Sequence, residues 1–280
     1  MRYLRSLWGV KESRWENYFP QLSNQQGIRG IEASLSDIGF EKDHGKRFFQ
    51  CIQANNQEWI CGAYSSWIDY IGEPEVGKSV ANHIATLKEQ LLAVMSLQQL
   101  PIYINIHAGS DDMTSSDSLE FFRLALVACK EIIGDKIPFG FETHRGRILY
   151  SPWVALDLLR QGVDLYFTLD LSHWVVVTER FLSLETLEPI LRRTRHVHAR
   201  MATPQASQVS NPARIDSSIR KYFESVWKRA SLVKTMTLEY GPRDEGSYQP
   251  VFYLNGQEHV EIDLDLLIAQ EAKRLQETFG

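Results

Sequence analysis

Four short segments of this 280-residue chain each end a β-like run with a side chain of a metal-ligand type. They are Phe139-Gly140-Phe141-Glu142, Leu165-Tyr166-Phe167-Thr168-Leu169-Asp170, Arg195-His196-Val197-His198 and Met236-Thr237-Leu238-Glu239. Three carboxylates and one imidazole suit one divalent cation of the Mn²⁺, Mg²⁺ or Co²⁺ kind, and Zn²⁺ is also accommodated. One acid at a strand end means little. Four such residues, ending successive strands, point to a metal at the mouth of a barrel.

Glu142 and Glu239 would end strands that are not neighbours, so they face each other across that mouth. Two opposed carboxylates can remove a proton from carbon on one side of a small substrate and return it on the other. A metal between them would hold the carbonyl and hydroxyl oxygens and stabilise the enediolate. Asp170 is read as a ligand, and His173, three residues on and in the following loop, as a substrate contact. Alternation along Arg195–Arg200 puts His196, His198 and Arg200 on one face. Only the residue nearest the carboxyl end reaches the metal, so His198 is the ligand and His196 a satisfied core histidine one layer down. Arg200 then rises at the rim, as a substrate contact or as one half of a salt bridge. His107, ending Ile104-Asn105-Ile106-His107, faces the same cavity. Glu32, with His144 and Arg145, is a weaker candidate. Trp8, Tyr64, Trp67, Trp153 and Trp174 stand near strand ends and could shape a sugar pocket, although such aromatics are more often core.

These residues need a scaffold of alternating strands and helices. Candidate strands lie at 3–9, 28–34, 59–64, 101–107, 137–142, 164–170, 194–200 and 234–240, spaced by about 30 residues, the size of a βα unit. Apolar stripes predict helices over 79–98, 117–133, 151–161, 183–193, 216–230 and 263–278. Ser79 is read as an N-cap, and Ser151-Pro152 supplies a cap followed by proline at the first helical position. Eight such units in one uninterrupted chain predict an α/β fold, a single-domain (β/α)₈ TIM barrel over 1–280, with an open doubly wound sheet as the competitor. Two connections, 201–215 and 241–262, are longer than a barrel needs and follow ligand-bearing strands, which places them over the site. Within the second, 250–254 is read as a hairpin with 258–262.

The composition is that of a water-soluble globular chain, 44% hydrophobic and 23% charged. A net charge of -5 argues against a general nucleic-acid binder. Three scattered cysteines, Cys51, Cys61 and Cys129, form no disulfide framework, and neither a signal peptide nor a membrane span is visible. A cytoplasmic enzyme is expected.

Glu142-Thr143-His144-Arg145, Asp170-Leu171-Ser172-His173-Trp174, His196-Val197-His198-Ala199-Arg200 and Leu238-Glu239-Tyr240-Gly241-Pro242 together resemble the xylose isomerase-like TIM-barrel superfamily. That group spans sugar isomerases, ketose 3-epimerases, inosose dehydratase and the endonuclease IV class. The resemblance covers nearly the whole chain. It implies one metal on Glu142, Asp170, His198 and Glu239, an acid–base pair in Glu142 and Glu239, and a substrate contact from His173. The residues themselves add His107, Arg200, Glu32 and Trp174 as candidate substrate contacts. Barrels of this group often pair, so a homodimer is one expected assembly. Ile60-Cys61-Gly62-Ala63-Tyr64-Ser65 has no histidine where the endonucleases would need one, and no Asp-x-His pair follows His198, which argues against a trinuclear zinc nuclease. Pro204 lies where the epimerases usually carry an arginine. The expected activity is isomerisation or epimerisation of a sugar or sugar-like polyol. A keto-inositol type of dehydratase is the alternative, then an abasic-site hydrolase, and last a barrel that binds a metabolite without catalysis.

Overall fold

Alternation of buried apolar strands with amphipathic helices resolves into a closed barrel. The computed structural model describes residues 1–66, 76–209, 212–241, 252–254, 257–259 and 263–280. The barrel strands are β1 (Arg2–Ser6), β2 (Gly30–Ser34), β3 (Glu58–Tyr64), β4 (Tyr103–His107), β5 (Phe139–Glu142), β6 (Phe167–Leu169), β7 (Thr194–His198) and β8 (Thr235–Leu238). Each pairs in parallel with the next, and β8 closes on β1 through Arg2–Thr235 to Arg5–Leu238. Closure excludes the open doubly wound sheet. Phe252–Leu254 (β9) and Gln257–His259 (β10) pair antiparallel, as expected of a hairpin in the second long connection.

The helices are α1 (Trp15–Gln26), α2 (Phe40–Asp43), α3 (Lys46–Ala54), α4 (Val80–Ser96), α5 (Ser115–Ile132), α6 (Pro152–Arg160), α7 (Leu171–Thr178), α8 (Leu184–Leu191), α9 (Ser217–Arg229) and α10 (Leu264–Phe279). The predicted caps hold. Ser79 accepts from Asn82 N and Ser151 from Val154 N, and Asp263 caps α10 through Asp265 N and Leu266 N. One segment departs from expectation. Residues 171–178 form a helix, not the loop in which His173 was placed. Their β-branched run, Val175-Val176-Val177-Thr178, masks a helix started by the Asp170 cap.

The main core lies between the outer face of the barrel and the helices, where Phe48, Phe49 and Trp59 meet edge to face. The barrel interior changes character along its axis. Leu4, Ile60 and Tyr103 form a small apolar cluster. Gly140 is required opposite it, because a Cβ there would lie 2.1 Å from the Tyr103 hydroxyl and 2.9 Å from backbone of β6. Toward the carboxyl ends the interior becomes polar, with Glu32, Asn105, His196 and Thr237 all buried. Among the described residues no helix is long and apolar enough to cross a membrane.

Candidate metal centre and active site

The polar layer is built by strand alternation. Glu142 and His198 are the last residues of β5 and β7, while Asp170 and Glu239 each stand one residue past β6 and β8. These four side chains bring one ligand atom each to within 4.8 Å of the others. His198 Nδ1 lies 3.0 Å from Glu239 Oε2, 3.7 Å from Glu142 Oε1 and 3.9 Å from Asp170 Oδ2. The set expected from sequence is therefore one cluster.

Supporting contacts fix each side chain of the cluster. Asp170 does two tasks: Oδ1 caps α7, accepting from Ser172 N at 2.9 Å and Ser172 Oγ at 2.5 Å, while Oδ2 points into the cluster. Thr143 Oγ1 accepts from Asp170 N at 2.8 Å and donates to Asp170 O at 3.0 Å, which ties the ends of β5 and β6 together. Glu142 Oε2 accepts from Asn105 at 2.6 Å and lies 3.0 Å from His107 Nε2, so Oε1 is left for the cluster. His198 Nε2 lies 2.9 Å from Glu32 Oε1, which turns Nδ1 toward the acids. Glu239 is held through its neighbours. The Tyr240 hydroxyl accepts from Met201 N, and the Gln208 side chain bonds both Gly241 N and O. The described part of the 201–215 connection is thus a clamp on the end of β8.

Three atoms test whether a cation fits. Glu142 Oε1, His198 Nδ1 and Glu239 Oε2 are buried and close no well-formed hydrogen bond among the described residues, although His198 Nδ1 and Glu239 Oε2 face each other as an ion pair at 3.0 Å. Leaving one such polar atom unpaired costs about 1–3 kcal/mol, more if charged. Orphan atoms that converge on one point, with an oxygen–nitrogen donor set, fit a divalent ion.

The electrostatics agree. Burial by itself would push His198 down, but the carboxylates of Glu239, Glu32 and Glu142 outweigh it and hold the imidazolium well above its usual range. Burial pushes Asp170 up to about 7, with Arg200 opposing and Glu239 adding to the rise. Burial also works to raise Glu142, yet His107 and His198 bring it down to about 2. The surrounding acids thus favour the protonated form of His198.

The remaining candidates separate. A cavity of about 430 Å³ opens on the cluster, lined in part by Trp8, Tyr64, His107, His144, Arg200 and Glu239. Glu32 and His198 also reach it, whereas Glu142 lies beneath, fully buried. His107 stacks on Tyr64 with ring centroids 4.4 Å apart. Trp8 is wedged against Gly241, where a Cβ would come within 2.3 Å of the indole, and Arg5 anchors its carbonyl at 3.1 Å. His196 is a satisfied core histidine, as expected, between Glu32, Thr235 and Thr237.

Four expectations move. Trp174 is core: its fully buried indole donates to the Leu149 carbonyl and does not line the cavity. Trp153 is half exposed at a separate cleft, and Trp67 lies outside the described residues. His173 is buried in the first turn of α7, 2.8 Å from the Arg200 guanidinium, and packs against His144 with the rings tilted, centroids 3.9 Å apart. Arg200 is not at the rim; of its two expected roles the salt bridge is present, to Asp170. Arg200 N donates to the His198 carbonyl two residues back at 3.0 Å, and this tight turn folds the side chain down into the cluster. Asn105 was missed. It lies two residues before His107 on β4 and donates to both Glu142 and Glu32, so alternation from His107 marks it.

No family model matches this chain, and no curated protein matches it in sequence. Solved structures do. The chain superposes on a D-allulose 3-epimerase from Methylomonas sp. in complex with D-allulose at TM-score 0.65 and 12% identity, covering 100% of this chain and 97% of that one. The probable 3-DHS dehydratase AsbF of petrobactin synthesis from Bacillus anthracis gives TM-score 0.62 and 13% identity, covering 99% of both chains. The IolI protein with a binding zinc atom gives 0.60 and 13%, covering 99% and 96%. At these identities the likeness is one of fold: the chain shares the (β/α)₈ TIM-barrel fold of these proteins.

Proposed function

We propose that this protein is a divalent-metal-dependent isomerase or epimerase of a sugar or sugar-like polyol. The convergence of Glu142 Oε1, Asp170 Oδ2, His198 Nδ1 and Glu239 Oε2 beside an open cavity carries the reading. These four residues would hold the ion. When bound, it would supply Lewis-acid charge for oxygens that become anionic as a neighbouring C–H proton leaves. The chain supplies the proton carriers. Glu239 lines the cavity and is held below the usual carboxylate range: burial works to raise it, and His198 and Arg200 overcome that. It is ionised at neutral pH and meets the substrate carbon as base. Glu142 carries the proton on the opposite side. His107, packed on Tyr64, donates toward a substrate hydroxyl, and Trp8 offers a flat face to the carbon skeleton.

A dehydratase reading is favoured by the equally complete superposition on the dehydratase AsbF. It uses the same base but expels a β-hydroxyl. Incubating the Mn²⁺-loaded protein with ketoses and cyclic keto-polyols in D₂O separates the two. Deuterium entering recovered sugar without loss of water is expected for isomerisation or epimerisation. A new ultraviolet-absorbing enone would replace that reading with the dehydratase. Three bound metals per chain and cleavage of abasic DNA would replace both.

A further inference from the structure

Arg200 is the one residue of the cluster that brings a permanent charge. Its guanidinium is 2% exposed and contacts Asp170 Oδ2, the oxygen turned toward the other ligands. It lies 3.4 Å from Glu239 Oε2, donates from Nε to Ser172 Oγ at 3.0 Å, and meets His173 Nε2 at 2.8 Å. The first turn of α7 therefore holds it, and the turn after β7 aims it inward. Two cations claim one oxygen: the guanidinium has Asp170 Oδ2, and a divalent ion on Glu142, His198 and Glu239 needs it.

We propose that Arg200 is a resident counter-cation of the metal centre that competes with the divalent ion for Asp170 Oδ2. It rests on the proposed metal site. Without metal, the Arg200 guanidinium lies between the carboxylates of Asp170 and Glu239 and keeps them from repelling one another. When metal enters, the guanidinium leaves Oδ2 and the two positive charges stay close, which weakens binding. Coulomb repulsion of a unit charge and a dication a few ångströms apart is strong even at high effective dielectric. The site is thereby set for an exchangeable ion rather than a permanently held one, and Arg200 is a positioning residue that acts through Asp170.

The test measures Mn²⁺ affinity of the metal-stripped full chain by competition with a fluorescent chelator, for wild type, Arg200→Met and Arg200→Lys. Arg200→Met is expected to bind Mn²⁺ about tenfold or more tightly than wild type, while its metal-free form melts at lower temperature. Arg200→Lys keeps the charge and is expected to return affinity to within about threefold of wild type. A purely structural role would weaken binding in both variants. A crystal structure of the wild-type Mn²⁺ complex adds a check that needs no variant: Arg200 is expected to have left the metal-facing oxygen of Asp170. Unchanged or weaker affinity in Arg200→Met, or an unaltered Arg200–Asp170 contact in the complex, would overturn the proposal. Wild-type protein that binds no Mn²⁺ sinks the metal reading itself.

Discussion

His198 and Glu32 are joined through the imidazole nitrogen that faces away from the acidic cluster, with Nε2 2.9 Å from Oε1. Glu32 is itself held between two histidines, His196 at 3.2 Å being the other. Burial works to raise Glu32, but His198 and His196 keep it well below the usual carboxylate range. A carboxylate on the far side of a ligating histidine fixes its orientation and raises its basicity.

Removing that carboxylate should therefore loosen the metal without touching it. Glu32→Ala is expected to lower Mn²⁺ affinity by about 10- to 100-fold. Glu32→Gln keeps an acceptor but loses the charge, and should fall between Ala and wild type. Isothermal titration of the stripped proteins measures this. Equal affinity in all three would show that Glu32 does not orient His198.

Protons and metal should compete. Asp170, raised to about 7, and His198, raised well above its usual range, both bind protons more tightly folded than unfolded. Their contributions are full below their unfolded values, near 4 and 6.5, and are lost as pH rises through the folded ones. Glu142, Glu239 and Glu32, all lowered, act with the opposite sign but only below their ordinary range. His144, His173 and His196, which burial lowers, favour the folded state as pH rises to about 7, so the loss of metal-free stability due to Asp170 and His198 should show between about pH 7 and 9. Mn²⁺ should offset the loss, so the metal-induced rise in melting temperature grows with pH. A rise that is constant over that range, or larger at its lower end, would contradict the cluster's electrostatics.

The two glutamates should be separable from folding. Glu239→Gln is expected to lower deuterium exchange at the reacting carbon by about 10²- to 10⁴-fold, the usual weight of a general base. Glu142→Gln should fall in the same range, with near-wild-type melting curves for both. Exchange that survives in Glu142→Gln would leave Glu239 as the sole proton carrier. This outcome has a structural basis, since Glu142 lies beneath the cavity floor.

Gly241 sets the wall beside Glu239. Gly241→Ala places a methyl 2.3 Å from the Trp8 ring, so the indole must move. Overpacking of this kind costs about 1–3 kcal/mol. Urea denaturation should show that loss, and substrate KM should rise more than kcat falls. A fall in kcat alone would mean that Trp8 is not a wall of the substrate site.

Much of this was legible in the chain because barrel strands repeat simple rules. Side chains alternate, so a ligand type at a carboxyl end faces the mouth, and His198 could be told from His196 by position alone. Asn105 obeyed the same rule and was overlooked because an amide carries less chemical signal than an imidazole. Trp174 shows the opposite error. Its place near a strand end said nothing of its direction, which α7 sets by turning the indole toward Leu149.

The barrel, the four candidate ligands and the layer to which each belongs could be read from the residues, because strand period and βα spacing are local properties of the chain. Only the tertiary structure decided how charge is balanced among them. The hydrogen bond that folds Arg200 back onto His198, and the cap that turns Asp170 Oδ1 outward and Oδ2 inward, bring a guanidinium to the cluster-facing oxygen of Asp170. That meeting depends on two strand ends that are adjacent in the barrel yet separated by 30 residues of chain, and electrostatic coupling is set by distance in space.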